Sequence, residues 1–387
     1  MSLRSRFAIP VLALFLLFLA GCSGGGSDTT AVTAFDPQTK QLMQSTLDAS
    51  LATLGVPGAA VTIISPTGAK WVGVSGLSSI ENYTPMVPGL KFRLGSVTKM
   101  MTSMLILQLV QEGYFSLDAS VELIIPGVVT NGANITVRQL LNHTSGLFDY
   151  IQAQSPNFFA QEWSNLLQVW TPQALVNIAN ANTPYFAPGA GFHYSNTNYI
   201  LLGMIIEKVM TGSTFAQEVT SRIIVPLGLS NTSIATTPAM PSGSTQGYTM
   251  DSSGWVNTTT VDASFAWSAG DAISTNDDLI VFLTAVINGT LLNQQLKAEM
   301  FTFVNSQGVV TQGSDGAYGL GLEKTARGFI GHTGDFVFGG QAAVYWYDGW
   351  MFVVQTNASP PNPIPGGFAF GSEYILSQEA TALGLIQ

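Results

Sequence analysis

The chain has 387 residues, of which 46% are hydrophobic and only 9% charged, with 13 basic against 23 acidic side chains and a formal net charge of −10. Charged residues usually make up about a quarter of a globular chain, so Asn, Gln, Ser, Thr and Gly must supply the polar surface. That apolar content excludes disorder, the acidic balance excludes a nucleic-acid partner, and the length predicts two or three domains around a sizeable core.

Residues 1–22 read as addressing information rather than fold. Arg4 and Arg6 form a basic leader, and Phe7 to Leu19 is an apolar stretch too short to span a bilayer as a structural helix. The run Leu19-Ala20-Gly21-Cys22 looks like a bacterial lipobox, whose cleavage leaves Cys22 to be acylated. Cys22 is the single cysteine of the chain and stands at the required place, so no disulfide forms within one chain and stability rests on the core. The glycine-rich segment 23–34 reads as a flexible tether. The expected location is the bacterial periplasm or cell surface, with the membrane engaged through the lipid anchor alone.

Beyond the tether, Phe35 to Leu54 has helical spacing and ends at Gly55-Val56-Pro57. Ala59 to Ile64 and Lys70 to Val74 flank Pro66-Thr67-Gly68, which predicts a β-hairpin. Next comes Arg93-Leu94-Gly95-Ser96-Val97-Thr98-Lys99, followed by apolar residues at 100, 101, 104, 105, 106, 109 and 110 and by Gly113. This is a helix with a broad buried face, and it sets Ser96 in the first turn. There free N–H groups and the helix dipole favour negative charge. Lys99, three residues on, shares the face of Ser96, and a serine beside a half-buried amine is an activated nucleophile. Alone, the spacing fits equally a capping serine and a solvated lysine.

Between Ser96 and about Met250 the pattern is helical, with a short capped helix at Ile135 to Leu141 and a longer one from Tyr199 to Val209. The loop before Tyr199 carries Tyr194 and Asn196. A second hairpin, Ala342 to Tyr347 and Trp350 to Thr356 about Asp348-Gly349, closes the chain with a helix from Glu373 to Leu383. Gly331-His332-Thr333-Gly334-Asp335 opens an edge strand beside it. Hairpins at both ends bracket a helical middle, which predicts an α+β fold: an antiparallel sheet formed by both chain ends and flanked by helices, with a mostly helical inserted domain. The expected division is 35–95 with 255–387 for the sheet domain and 96–254 for the helical one, with the site between them.

The order and spacing of Ser96-Val97-Thr98-Lys99, Tyr194-Ser195-Asn196 and His332-Thr333-Gly334 resemble the three elements of the class C β-lactamase and D-Ala-D-Ala carboxypeptidase family, the penicillin-binding serine hydrolases. Leu140 to Leu147, Pro188-Gly189, Pro226 to Leu229 and Tyr318 to Gly321 extend the likeness, which runs from about Lys40 to the C-terminus. The resemblance implies a β-lactamase-like fold and acyl transfer through a covalent Ser96 ester. Lys99 or Tyr194 would take the serine proton and return it to the leaving group. Asn196 would hold Lys99 and the substrate amide, and His332 would brace Tyr194 and the leaving group. The backbone N–H groups of Ser96 and Asp335 would form the oxyanion hole, an effect often worth about 3 kcal/mol per donor. Water would then resolve the ester.

No cofactor is called for, and the three histidines lack metal-ligand spacing. Two rival sites are set aside. Gly21-Cys22-Ser23-Gly24-Gly25 fits a nucleophile elbow but has no strand before it, and the resemblance makes His143, with Asp149 nearby, structural rather than part of a triad.

Substrate recognition departs from the family pattern. Its carboxypeptidases carry an arginine after the Tyr-Gly-Leu-Gly-Leu stretch, where this chain has Glu323, and a threonine after His-Thr-Gly, where it has Asp335. An acid in place of each carboxylate-binding group repels a carboxylate if both face the cleft. A neutral or cationic substrate is then expected: an ester, a D-amino-acid amide or a peptide with a free amine. Lys324 and Arg327 stand near enough in sequence to substitute, in a direction the sequence does not give. Thr333, Gly334, Glu323, Phe159 and Phe265 are the candidate substrate contacts, while Phe158 and Trp267 fit cleft or core. The readings carried forward are a hydrolase of cell-wall peptides such as the peptidoglycan stem, a β-lactamase, esterase or D-aminopeptidase of the same fold, and a lipoprotein that binds or senses β-lactams without turnover.

Overall fold

The computed structural model describes residues 34–310 and 316–387. The expected signal sequence, Cys22 and all but the last residue of the expected tether therefore lie outside the described residues.

The first helix, Pro37–Leu54, starts where its caps require. Asp36 accepts a hydrogen bond from the Thr39 backbone at 3.0 Å, Pro37 occupies the first turn, and Gly55 ends the helix at φ 67°. It covers an eight-stranded antiparallel sheet whose order is Thr84–Pro85, Lys70–Ser79, Gly58–Ile64, Trp350–Thr356, Gly340–Tyr347, Ile330–Phe336, Glu323–Lys324 and Ala317–Tyr318. The first and last hairpins of the chain thus meet in the middle of one sheet, with Ala59 opposite Thr356 and Ile64 opposite Met351.

Alternation along each strand decides which core a side chain joins. Phe352 and Val354 face the first helix and the C-terminal helix Gly371–Ala382, packing with Met43, Leu47 and Ile375. Val353 faces the opposite way, into the larger core around the helix Thr98–Gln111. That helix buries every residue from Thr98 to Leu109 except Gln108 to below 2% exposure, and Gln108 is itself buried. Its polar stripe, Thr98, Lys99, Thr102 and Ser103, is buried as well, with Thr102 Oγ1 donating to the Ser268 oxygen and Ser103 Oγ to the Leu320 oxygen, each at 2.6 Å. Sequence periodicity implied a single buried face; the structure wraps this helix on all sides, against Asn196–Val209 and the sheet.

The middle of the chain is mostly helical, with two small sheets added. One joins Phe92–Arg93, Ala272–Ser274 and Ser233–Ile234, tying the strand that leads to Ser96 to the segment after Trp267. The other is the hairpin Tyr248–Asp251 and Gly254–Asn257. Tyr248 packs in the core beneath the first and last helices, so this hairpin leans on the large sheet.

Candidate active site

The chain reaches Ser96 through one turn of 3-10 helix, Gly95–Val97, entered from the strand Phe92–Arg93. Two glycines allow that turn to touch the strand Ile330–Phe336. Gly95 sits at φ 52°, and a Cβ there would lie 2.7 Å from the Asp335 nitrogen; a Cβ on Gly334 would lie 1.9 Å from the Leu94 oxygen and 3.1 Å from the Ser96 nitrogen. No larger residue fits at either place without pushing the backbones apart. The contact brings the backbone nitrogens of Ser96 and Asp335 to one seam.

Beneath the half-buried Ser96, Lys99 has no exposed surface. Its Nζ lies 2.9 Å from Ser96 Oγ, 2.7 Å from Asn196 Oδ1 and 2.8 Å from the Ala269 carbonyl oxygen. Desolvation lowers its pKa to about 7, against opposing pulls from the Asp149 and Glu323 carboxylates. A neutral amine has two N–H groups and one lone pair. Asn196 Oδ1 and the Ala269 oxygen take the two donors, which leaves the lone pair aimed at the serine hydroxyl.

Tyr194 stands over this pair, with Lys99 Nζ 4.9 Å from its ring centroid. Burial raises its phenol well above the ordinary range, offset in part by hydrogen bonding with Ser96. The phenol is therefore held in its protonated form. Asn196 opens the helix Asn196–Val209 instead of lying on the preceding loop, because the helix begins three residues before the Tyr199 start that the apolar pattern marks.

His332 is buried beside the site, but its Nε2 pairs with the Tyr318 hydroxyl at 2.7 Å, while its Nδ1 faces the Thr333 carbonyl oxygen and lies 3.5 Å from Glu323 Oε1. Desolvation lowers its pKa, so the imidazole is neutral at pH 7. The brace expected between His332 and Tyr194 thus runs to Tyr318, because Nε2 is already occupied there; the His332 and Tyr194 ring centroids stand 6.3 Å apart. His143 lies under the tyrosine, its ring 4.2 Å from that of Tyr194, and its Nδ1 accepts from the Ser195 backbone at 3.1 Å. It shapes the loop that presents Tyr194. Asp149 does not pair with it: the carboxylate accepts from Asn196 Nδ2 at 3.0 and 3.3 Å.

Asp149 and Tyr318 are the residues that sequence reasoning missed. In sequence Asp149 suggests only a partner for His143, yet burial raises its pKa to about 6 and Asn196 relays it to Lys99. Tyr318 is visible there only as part of a family-like stretch, since its role depends on strand register.

A cleft of about 640 Å³ opens in front of Ser96. Phe159 and Phe265 line it, whereas Phe158 is buried behind them and Trp267 packs against Phe215 in the core. Thr333 and Gly334 form one wall. Glu323 faces the cleft, held by the Thr333 backbone N–H at 2.9 Å, by Thr333 Oγ1 at 3.0 Å and by the Tyr345 hydroxyl. Its placement follows from register, since the two-residue strand Glu323–Lys324 sets it opposite Gly331. Asp335 lines the rim with its carboxylate turned to Ser359 Oγ at 2.7 Å. Among the described residues lining the cleft there are three acids, Asp149, Glu323 and Asp335, and no lysine or arginine.

The family model described as Beta-lactamase matches residues 41–366. Penicillin-binding protein 4* of Bacillus subtilis (strain 168) is 32% identical over 161 residues, which is 41% of this chain; the chain spans only 34% of that protein's length. Among solved structures, a D-stereospecific amidohydrolase from Streptomyces sp. superposes with a TM-score of 0.76 at 34% identity, over 88% of this chain and 98% of the other. The D-amino acid amidase from Ochrobactrum anthropi SV3, complexed with L-phenylalanine amide, superposes at 0.77 with 27% identity, over 90% of this chain and 99% of the other.

Proposed function

The chain belongs to the Beta-lactamase family of serine hydrolases, and on that premise we propose that it hydrolyses amides of amine-bearing acyl groups, D-amino-acid amides in preference to D-Ala-D-Ala peptides. The observation that carries this reading is the position of Glu323, fixed by Thr333 and Tyr345 so that its carboxylate faces the cleft. A terminal carboxylate there meets the Glu323 carboxylate, whereas an ammonium group is attracted by it. The amidase neighbours support the same substrate class. The aromatic wall of Phe159 and Phe265 suits an apolar side chain.

The steps follow from the protonation states. Neutral Lys99 takes the Ser96 proton as Oγ bonds to the amide carbon, and the oxyanion that forms is met by the N–H groups of Ser96 and Asp335. Tyr194 gives its proton to the leaving nitrogen as the C–N bond breaks, and the Lys99 ammonium restores it. Water then adds to the Ser96 ester, its proton passing to Lys99, and Ser96 leaves with a proton as the carboxylic acid departs. The lipobox reading adds the proposal that the enzyme works outside the cytoplasm, tethered through Cys22.

The test compares turnover of D-phenylalanine amide, N-acetyl-D-phenylalanine amide and a D-Ala-D-Ala peptide. The free amine is expected to be preferred over its acetylated form, with the D-Ala-D-Ala peptide poorest. Efficient release of terminal D-Ala would overturn the charge argument and restore the carboxypeptidase reading.

A further inference from the structure

The short helix Phe158–Ser164 forms one lip of the cleft. Its outward face carries Phe159 and Trp163, which are four residues apart and so neighbours on one side of the helix. Phe159 lines the cleft and is 36% exposed; Trp163, one turn farther out, is 39% exposed. Trp163 is the only exposed tryptophan among the described residues, so this lip shows solvent an aromatic surface that the fold covers elsewhere. Adjoining rings connect it with the cleft. Between centroids, Trp163 lies 6.0 Å from Phe338, Phe338 5.7 Å from Phe265, and Phe265 5.3 Å from Phe336. Phe265 and Phe336 line the cleft. The helix's single charged residue, Glu162, is fully buried and accepts from Trp170 Nε1, so no charge interrupts the outward face.

We propose that Phe159 and Trp163 form a shelf that seats an alkyl or aryl group on the end of the substrate farther from Glu323. The inference rests on the amidase reading and adds that the preferred substrates are apolar at that end. The strand Ile330–Phe336 sets the order of the contacts. Glu323 is held at the Thr333 backbone, the N–H aimed at the oxyanion belongs to Asp335, and Phe336 and Phe338 follow. A carbonyl seated at Ser96 therefore has Glu323 on one side along the strand and the rings on the other. From Asp335 to Phe338 the chain spans at most about 10 Å, within reach of an octyl chain. Phe159 belongs to both the cleft and the shelf, so a group that leaves the cleft crosses the shelf without a gap. Covering these rings with methylenes removes apolar surface from water on both partners, which favours longer chains without any added charge contact.

The assay measures kcat/KM along two ester series. The p-nitrophenyl alkanoates from acetate to decanoate lengthen the acyl end, and n-alkyl esters of D-alanine from methyl to octyl lengthen the leaving end. In the parent enzyme one series should rise about two- to fourfold per methylene over the carbons that reach the shelf, and about tenfold or more in all. The other should stay flat, and the rising series identifies the end that lies away from Glu323. Trp163→Ala should cut the whole rise to less than about threefold. Trp163→Gln, which keeps bulk over Phe338, should do the same, and Trp163→Phe should retain most of it. Each readout is a ratio within one variant, so a general loss of active protein cancels. Two flat series, a rise in both, or a rise untouched by the alanine and glutamine variants overturns the proposal. So does a dimer in sedimentation that Trp163→Ala dissolves, which makes the shelf a contact between copies of the chain. The amidase reading is judged separately, by turnover of D-phenylalanine amide, and its failure leaves the chain-length ratios readable because they are measured on esters.

Discussion

Replacing Asp149 by asparagine tests whether the buried carboxylate sets the working pH of Lys99. The two groups communicate through one amide: Lys99 Nζ is 2.7 Å from Asn196 Oδ1, and Asn196 Nδ2 is 3.0 Å from Asp149 Oδ2. Adding the width of an amide puts the charges about 8 Å apart at most. At an effective dielectric of about 20, that is about 2 kcal/mol, or about 1.5 pH units. An anion supports the ammonium form, so its removal lowers the Lys99 pKa further below its present value of about 7. The amide oxygen introduced by Asp149→Asn can still accept from Asn196, which preserves the geometry. The assay is kcat/KM against pH on a p-nitrophenyl ester, a substrate with no titrating group of its own. In the parent enzyme activity should rise through about pH 7, on a limb that belongs jointly to Lys99 and to Asp149, itself raised to about 6. In Asp149→Asn that limb should move down by about one to two units. A limb that stays in place, or moves up, refutes the assignment of neutral Lys99 as base and Asp149 as the group that tunes it.

Two further outcomes are expected. Gly334→Ala puts a methyl 1.9 Å from the Leu94 oxygen and forces the strand away from Ser96, so kcat should fall by about a hundredfold or more while circular dichroism stays native-like. Glu379→Gln should stabilise the protein above pH 5, because Glu379 is fully buried, both its oxygens lack partners among the described residues, and burial raises its pKa to about 8. The sign follows from linkage: below about pH 4.5 folded and unfolded states are both protonated, and from there to about pH 8 only the unfolded state ionises, so stability drains away as pH rises. The gain in stability should therefore be absent at pH 4 and reach its maximum above pH 8, with an upper limit on the order of 5 kcal/mol.

Local chemistry wrote the hairpins into the sequence. Pro66-Thr67-Gly68 and Asp348-Gly349 punctuate alternating strands, and the strands observed are Gly58–Ile64 with Lys70–Ser79 and Gly340–Tyr347 with Trp350–Thr356. The short capped helix was equally legible, since Thr136 and Gln139 form a capping box around Val137–Leu141. What escaped depends on register between distant segments. Strands of two residues, such as Ala317–Tyr318 and Glu323–Lys324, have no periodicity to read, yet they deliver Tyr318 to His332 and Glu323 to Thr333. The full enclosure of Lys99 was likewise invisible, because enclosure needs the Ala269 and Asn196 segments folded over it. Asp149 was hidden by a misleading neighbour: in sequence it sits near His143, and in space it serves Asn196.

The most direct test is to label the protein with a fluorophosphonate and locate the adduct by peptide mass spectrometry. A single adduct on Ser96, absent from Ser96→Ala, is the predicted result. Labelling that persists in Ser96→Ala, or that falls on another residue, contradicts the site at its root.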